Sequence, residues 1–454
     1  MLDLTPEKIM ERSSLRINPC KTCQPVGALY CALGVHKCMP HSHGSQGCVS
    51  YHRTFLSRHF KEPAIASTSS FTEGASVFGG GSNLRTGVKN VFEIYKPDII
   101  AVHTTCLSET IGDDVGSYIQ DMEIPEGKLA VHASTPSYVG SHINGFFNMM
   151  CGFINYLSVS NGVKNGKIGI FPGFLNPADL REMKRIAALM EVPFIMFPDQ
   201  SGVMDAPMTG HYEMYPEGGT TVPEIIALGD CSQIVACGLL TSAEPAHVLK
   251  RKCKVPYDLI PLPIGIEGTD RFIMTLSGLE QQEIPPALEE ERGQLIDIML
   301  DAHFHYSGKK AAIFGDPDTV LGLMQLVLEM GMIPRYVITG TPGEAFEKTA
   351  RSILFNFNVT DCTVKSSADL FELHQWIKNE PVDLLLGTSY GKQIAKAEDI
   401  PFVRAGFPIL DRYAHSYFPI TGYRGALRLV EQITNALLDY QDRTCADEDL
   451  DVIM

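Results

Sequence analysis

Three short segments gather the residue types that hold metals and pass electrons. The first is Cys38-Met39-Pro40-His41-Ser42-His43-Gly44-Ser45-Gln46-Gly47-Cys48, the second Thr104-Thr105-Cys106, the third Thr135-Pro136-Ser137. Each has a plainer reading when taken singly. A lone thiol after a strand is ordinarily a packed core residue, Ser137 would serve as the N-cap of a following helix, and Gly44 and Gly47 would only allow a tight turn. Taken together, at equivalent ends of neighbouring strands, they compete as a metal site. A fourth segment, Cys20-Lys21-Thr22-Cys23, has the Cys-x-x-Cys spacing of zinc and thiol redox centres. Zinc would want a second compact pair, which Cys31, Cys38 and Cys48 do not form. A redox motif would want a strand before it, where Asn18-Pro19 stands. Iron–sulfur ligation accepts thiolates from separate loops, and Cys23, Cys48 and Cys106 suit it better.

The elements that would position these segments are legible as short apolar runs alternating with helical periodicity. Residues 99–102 and 128–132 read as buried strands, the second followed by a helix over 139–157. A second block has strands at 167–171 and 193–197 around a helix at 178–190. A third has strands at 311–314 and 335–339, with further runs at 383–386 and 402–403. Such alternation predicts an α/β fold of three Rossmann-like domains, with mostly parallel sheets flanked by helices. The expected divisions are 1–160, 161–305 and 306–454, the last ending in an amphipathic helix at 422–439 and an acidic, solvated tail at 446–451. Ligands in such sheets bind beyond the carboxyl ends of the strands, where Cys106 and Ser137 fall.

Composition removes several classes of function. With 37 Lys plus Arg against 53 Asp plus Glu, the formal charge is −16, which repels rather than neutralises phosphates, so no nucleic-acid partner is expected. No stretch reaches the ~20 apolar residues of a membrane span, and the start lacks the apolar core of a signal peptide; a cytoplasmic protein is expected. Twelve cysteines in a reducing compartment are not expected to form a disulfide framework, and five of them lie in the first fifty residues. There is no Gly-x-x-x-x-Gly-Lys-Ser/Thr loop, and Gly79-Gly80-Gly81 does not complete a dinucleotide fingerprint. Reducing power would therefore arrive from a partner protein.

The segments Ser42-His43-Gly44-Ser45-Gln46-Gly47-Cys48, Thr104-Thr105-Cys106 with Ile111-Gly112-Asp113-Asp114, Thr135-Pro136-Ser137 with Gly140-Ser141-His142, and Gly406-Phe407-Pro408-Ile409-Leu410-Asp411-Arg412 together resemble nitrogenase β subunits. The resemblance runs from about residue 18 to the C-terminal helix, and Val49-Ser50-Tyr51-His52-Arg53 favours the molybdenum–iron type. It implies three Rossmann-like domains in an α2β2 heterotetramer with the nitrogenase α subunit. Cys23, Cys48 and Cys106 would then be the β-side ligands of the 8Fe-7S P-cluster, shared with the α subunit. Ser137 matches the serine whose oxygen joins that cluster on oxidation, and Tyr51 would lie near it. Electrons would pass to an iron–molybdenum cofactor in the α subunit for ATP-dependent reduction of dinitrogen to ammonia. Cys20 and Cys31 match no ligand position. Phe78 matches the place where the ATP-hydrolysing iron protein docks. Asp297 and Asp301, four residues apart on one helix face, with Glu62 and the Lys61 carbonyl of another β subunit, match an interfacial calcium or iron site. Three other readings share this ancestry: a scaffold protein for cofactor assembly, the β subunit of an alternative nitrogenase, and a dark-operative protochlorophyllide reductase.

Overall fold

The computed structural model describes residues 4–10, 12, 16–280 and 282–446; most of the acidic tail lies outside them. Among the described residues thirteen strands form three sheets, and every strand pair is parallel. The first sheet contains β1 (Cys38–His43), β2 (Ser67–Thr68), β3 (Ile99–Thr104) and β4 (Leu129–Ala133), in the order β2-β1-β3-β4. The second contains β5 (Ile168–Phe171), β6 (Phe194–Met196), β7 (Gln233–Cys237) and β8 (Tyr257–Ile260), in the order β6-β5-β7-β8. The third contains β9 (Lys310–Gly315), β10 (Ile333–Thr339), β11 (Thr363–Lys365), β12 (Leu384–Gly387) and β13 (Phe402–Arg404), in the order β11-β10-β9-β12-β13. The α/β expectation is met. Each order grows outward in one direction and then reverses, leaving a crevice at the reversal, between β1 and β3 in the first sheet.

The strands β2, β7, β8 and β11 go unread in the sequence, and two further departures bear on the candidate site. Residues 38–43 were read as part of a loop but form β1, a fully buried strand at the centre of the first sheet. Its composition conceals it, because a central strand rarely contains proline. The Pro40 carbonyl accepts a bond from the Ser67 hydroxyl at 3.2 Å, so its missing N–H belongs to the side where two-residue β2 has only begun. The helix expected from residue 139 begins three residues later, at His142–Leu157, and its N-cap is Ser141, whose hydroxyl accepts from the Ile143 N–H. Ser137 therefore caps nothing; it stands in the turn before that helix.

The modules are tied by chain segments that cross between them. The C-terminal helix Gly422–Thr444 packs chiefly on the helices Pro177–Leu189, Gly265–Glu280 and Pro286–Asp301, and the Tyr423 hydroxyl donates to Asp270 at 2.5 Å. Residues 16–20 lie against the third sheet: the Ile17 N–H donates to Asp369, and Leu370 donates back to the Asn18 carbonyl at 3.0 Å. Cys20 is buried in that sheet's apolar cluster and Cys31 in the core shared by the first two sheets, which gives both a packing role.

Candidate metal-cluster site

Three helices point their N-terminal ends towards the crevice of the first sheet, and each carries one thiol there. Cys23 is the N-cap of Gln24–Leu33, Cys48 lies in the first turn of Gln46–Phe60, and Cys106 is the first residue of Cys106–Ile111. Pro25 fits the first helix because an N–H there would have no intrahelical partner. Helix N-termini carry partial positive charge and favour thiolate over thiol. Opposing this, burial pushes the Cys23 thiol up, and burial followed by the neighbouring Cys106 pushes up Cys48. Loading a metal on these sulfurs would thus release protons.

Hydrogen bonds hold the loops to one another. Thr105 and Ser108, beside Cys106, donate their hydroxyls to the His43 carbonyl at 3.1 and 2.8 Å, binding the end of β3 to the end of β1. Gly44 is required here, since a Cβ on it would stand 2.0 Å from Thr105 Oγ1. Thr135 donates its N–H to the Thr104 hydroxyl oxygen at 2.6 Å and its hydroxyl to the Thr104 carbonyl at 2.7 Å, joining the Cys106 loop to the Ser137 loop. The Cys23 segment is clamped to the same region: His142 N donates to the Thr22 carbonyl at 2.9 Å, and Thr22 N donates back to His142 Nδ1 at 3.3 Å. Lys21 Nζ reaches the Gly140 carbonyl at 2.7 Å, and Gln24 the Val139 carbonyl at 3.0 Å. The other edge of the His142 ring lies 2.8 Å from Asp316 of the third sheet's first turn.

The site therefore brings together Cys23, Cys48, Cys106 and the Ser137 turn. Cys23 and Cys48 are partly buried while Cys106 is exposed, so the crevice is open on one side. No three His, Cys, Asp or Glu side chains among the described residues converge tightly enough for a single ion. A spread set of thiolates from separate loops suits a polynuclear iron–sulfur cluster, with sulfurs bonded to different irons, and does not suit a lone tetrahedral ion. The donor set fits such a cluster. Sequence reasoning missed His52, on the Cys48 helix, whose Nε2 lies 3.6 Å from Cys23 Sγ; no motif marks it, and only helical spacing from Cys48 could have. Burial pulls its pKa down to about 4. Tyr51, beside it, is half exposed, and its hydroxyl lies 3.4 Å from that of Thr22.

Other expected residues stand apart. Phe78 ends the short helix Glu73–Phe78 and is 91% exposed, with Val77 at 73%. The next turn is anchored by Asp113, which accepts from the Gly80 N–H and the Tyr118 hydroxyl and lies 3.0 Å from His43 Nε2. Asp297 and Asp301 are both exposed on the helix Pro286–Asp301, and Glu62 is half-buried just after Gln46–Phe60. No helix among the described residues is long and apolar enough to cross a membrane.

Three parallel sheets flanked by helices, with an open, thiol-lined crevice at the reversal of the first, define an α/β protein of the doubly wound class. Residues 23–438 match the family described as Nitrogenase component 1 type Oxidoreductase, and the chain belongs to that family. It is 59% identical, over the whole of both chains, to a nitrogenase molybdenum-iron protein beta chain of Clostridium pasteurianum. It is 40% identical to one of Rippkaea orientalis, over 96% of this chain and 87% of the relative. A solved structure titled Nitrogenase Cp1 at pH 6.5 superposes with a TM-score of 0.99 at 58% identity, covering all of both chains.

Proposed function

We propose that this chain is the β subunit of a molybdenum–iron nitrogenase. In this reading Cys23, Cys48 and Cys106 ligate half of an 8Fe-7S P-cluster whose remaining ligands come from the α subunit of an α2β2 heterotetramer. The observation that carries it is the convergence of those thiols, from three helix N-termini, on one open crevice. When bound, the cluster supplies one-electron redox chemistry between the iron protein and the iron–molybdenum cofactor of the α subunit, where dinitrogen is reduced to ammonia. The three cysteines hold and orient it, and the buried bonds through Thr104, Thr105 and Thr135 keep the loops from relaxing as charge changes. Ser137 is the nearby oxygen ligand; Ser141 performs the capping, which frees the Ser137 hydroxyl for that role.

Phe78, projecting with Val77 from a rigidly anchored turn, is the docking contact for the iron protein; an exposed aromatic of this kind is a typical interface anchor. Asp297 and Asp301, with Glu62 from a second β chain, bind a hard cation, calcium or iron, between β subunits. Exposed Leu300 and Phe304 beside the acidic pair support an interface there. The complex is cytoplasmic.

The test is metal analysis and EPR on the complex purified anaerobically with its α subunit. About four irons per β chain, with molybdenum and further iron on the partner, are expected. Ordinary four-iron clusters without molybdenum would replace this reading with that of an assembly scaffold.

A further inference from the structure

The helix that carries Cys48 carries His52 one turn later, so the two residues share a face. The imidazole is 2% exposed and is packed between the rings of Tyr51 and His103, with centroids 6.0 and 6.2 Å away. Its Nε2 is 3.6 Å from Cys23 Sγ. Its Nδ1 is buried with no hydrogen-bond partner among the described residues. Among the described residues no carboxylate bonds to the ring, and a neutral imidazole carries a single N–H. Placing that hydrogen on Nδ1 would bury a donor with nothing to receive it, whereas on Nε2 it faces sulfur.

We infer that His52 is a positioning residue for the cluster, donating its Nε2–H to the Cys23 sulfur and so fixing the orientation and electron density of that ligand. The inference rests on the reading of Cys23 as a cluster thiolate. A hydrogen bond to a cluster thiolate draws charge from the sulfur and stabilises the reduced state, which raises the reduction potential. His52 would thus make the Cys23 side of the cluster easier to reduce than a purely apolar neighbour would.

The experiment is an anaerobic redox titration of the purified α2β2 complex, followed by EPR, with iron content measured in parallel. It compares wild type with His52→Phe, which keeps ring packing and loses the donor, and with His52→Gln, which keeps an N–H. The cluster midpoint is expected to fall in His52→Phe at full iron content and to stay nearer the wild-type value in His52→Gln. An unchanged midpoint in His52→Phe overturns the inference, as do equal shifts in both variants. If His52→Phe loses iron while His52→Gln loads fully, the donor is supported at the loading step; loss in both assigns His52 to packing and overturns it. A wild-type complex without the eight-iron cluster would refute the proposed function itself, a failure distinct from any of these.

Discussion

The first and third sheets share an architecture and differ in what they bury. In the third, β9, β10 and β12 enclose Ala311, Ala312, Ile313, Phe314, Val337, Ile338 and Leu384 to Leu386, nearly all fully buried apolar residues. In the first, β1 and β3 bury His41, Ser42, His43, His103 and Thr104 at the ends facing the thiols. Leaving such groups unpaired would cost ~1–3 kcal/mol each. Each side chain finds a partner instead, with only His103 Nδ1 left over: His41 with Ser67 and Ser69, each at 2.9 Å, Ser42 with His103 Nε2 at 2.6 Å, His43 with Ser69 at 2.8 Å and Asp113 at 3.0 Å, and Thr104 with Thr135. One sheet is a scaffold filled for packing. The other accepts a polar interior where its strands lead into the thiol-bearing loops, tying those loops to fixed positions.

The largest effects that separate the two sheets come from one substitution in each. Cys106→Ala should abolish cluster loading, since loss of a ligand exceeds the roughly 10–100-fold that outer-shell partners cost. Iron per β chain should collapse while the thermal unfolding of the cluster-free chain stays near that of the unaltered cluster-free chain. Leu385→Ala in the third sheet should do the reverse. It removes a fully buried side chain and should destabilise by about 2–5 kcal/mol, seen as a lower denaturation midpoint, with the cluster EPR unchanged. A strong spectral change in Leu385→Ala would mean the third sheet is no passive scaffold.

The same contrast explains what was legible in the sequence. β5 and β9 were visible as apolar runs because both faces of a parallel strand are buried. β1 was not, because its polar residues are satisfied by partners 26 to 70 positions away, which no local pattern reveals. β8 was hidden differently: it is a sheet edge with Asp258 and Leu259 exposed, so it lacks an apolar run. At the site, Cys23, Cys48 and Cys106 stood out as thiols on separate segments that iron–sulfur ligation could join, and the motif resemblance then grouped them at one cluster. The capping assignment for Ser137 missed because Ser137 and Ser141 are equally plausible caps until the turn between them is seen.

Acid should distinguish the sheets next. Burial, and then neighbouring His43, pulls the His41 pKa down to about 3, and His103 is lowered in the same direction by burial and by His52 and His41. An unfolded histidine titrates near 6.5. Below that pH the unfolded chain takes up protons that the folded chain refuses, so stability present at neutral pH is lost as pH falls towards the folded value. For His41 the loss at pH 5 is about 2 kcal/mol. No strand of the third sheet contains a histidine. Hydrogen-exchange protection of residues 99–104 should therefore fall between pH 7 and pH 5 more than that of residues 311–314. Equal losses in both would show that the buried histidines are not the acid-sensitive groups.

The smallest effect on stability belongs to Phe78, and that is what makes it informative. At 91% exposure the ring contributes almost nothing to the core, so Phe78→Ala should change stability within about 0.5 kcal/mol and leave cluster iron intact. In the proposed function its role lies in what the turn presents. Asp113 fixes that turn through Gly80 and reaches His43, at the end of β1, while its own chain continues from the helix that begins at Cys106. A docking face built on these bonds would be mechanically continuous with two of the three thiol-bearing loops. Phe78→Ala should weaken association with the iron protein, read as a higher concentration of that protein needed for half-maximal turnover, with the cluster midpoint unmoved. Asp113→Asn should leave Phe78 exposed but loosen both the turn and the loops, so docking and cluster spectra should change together. If Asp113→Asn altered docking alone, the two faces of this sheet would be independent, and its polar interior would serve only the turn.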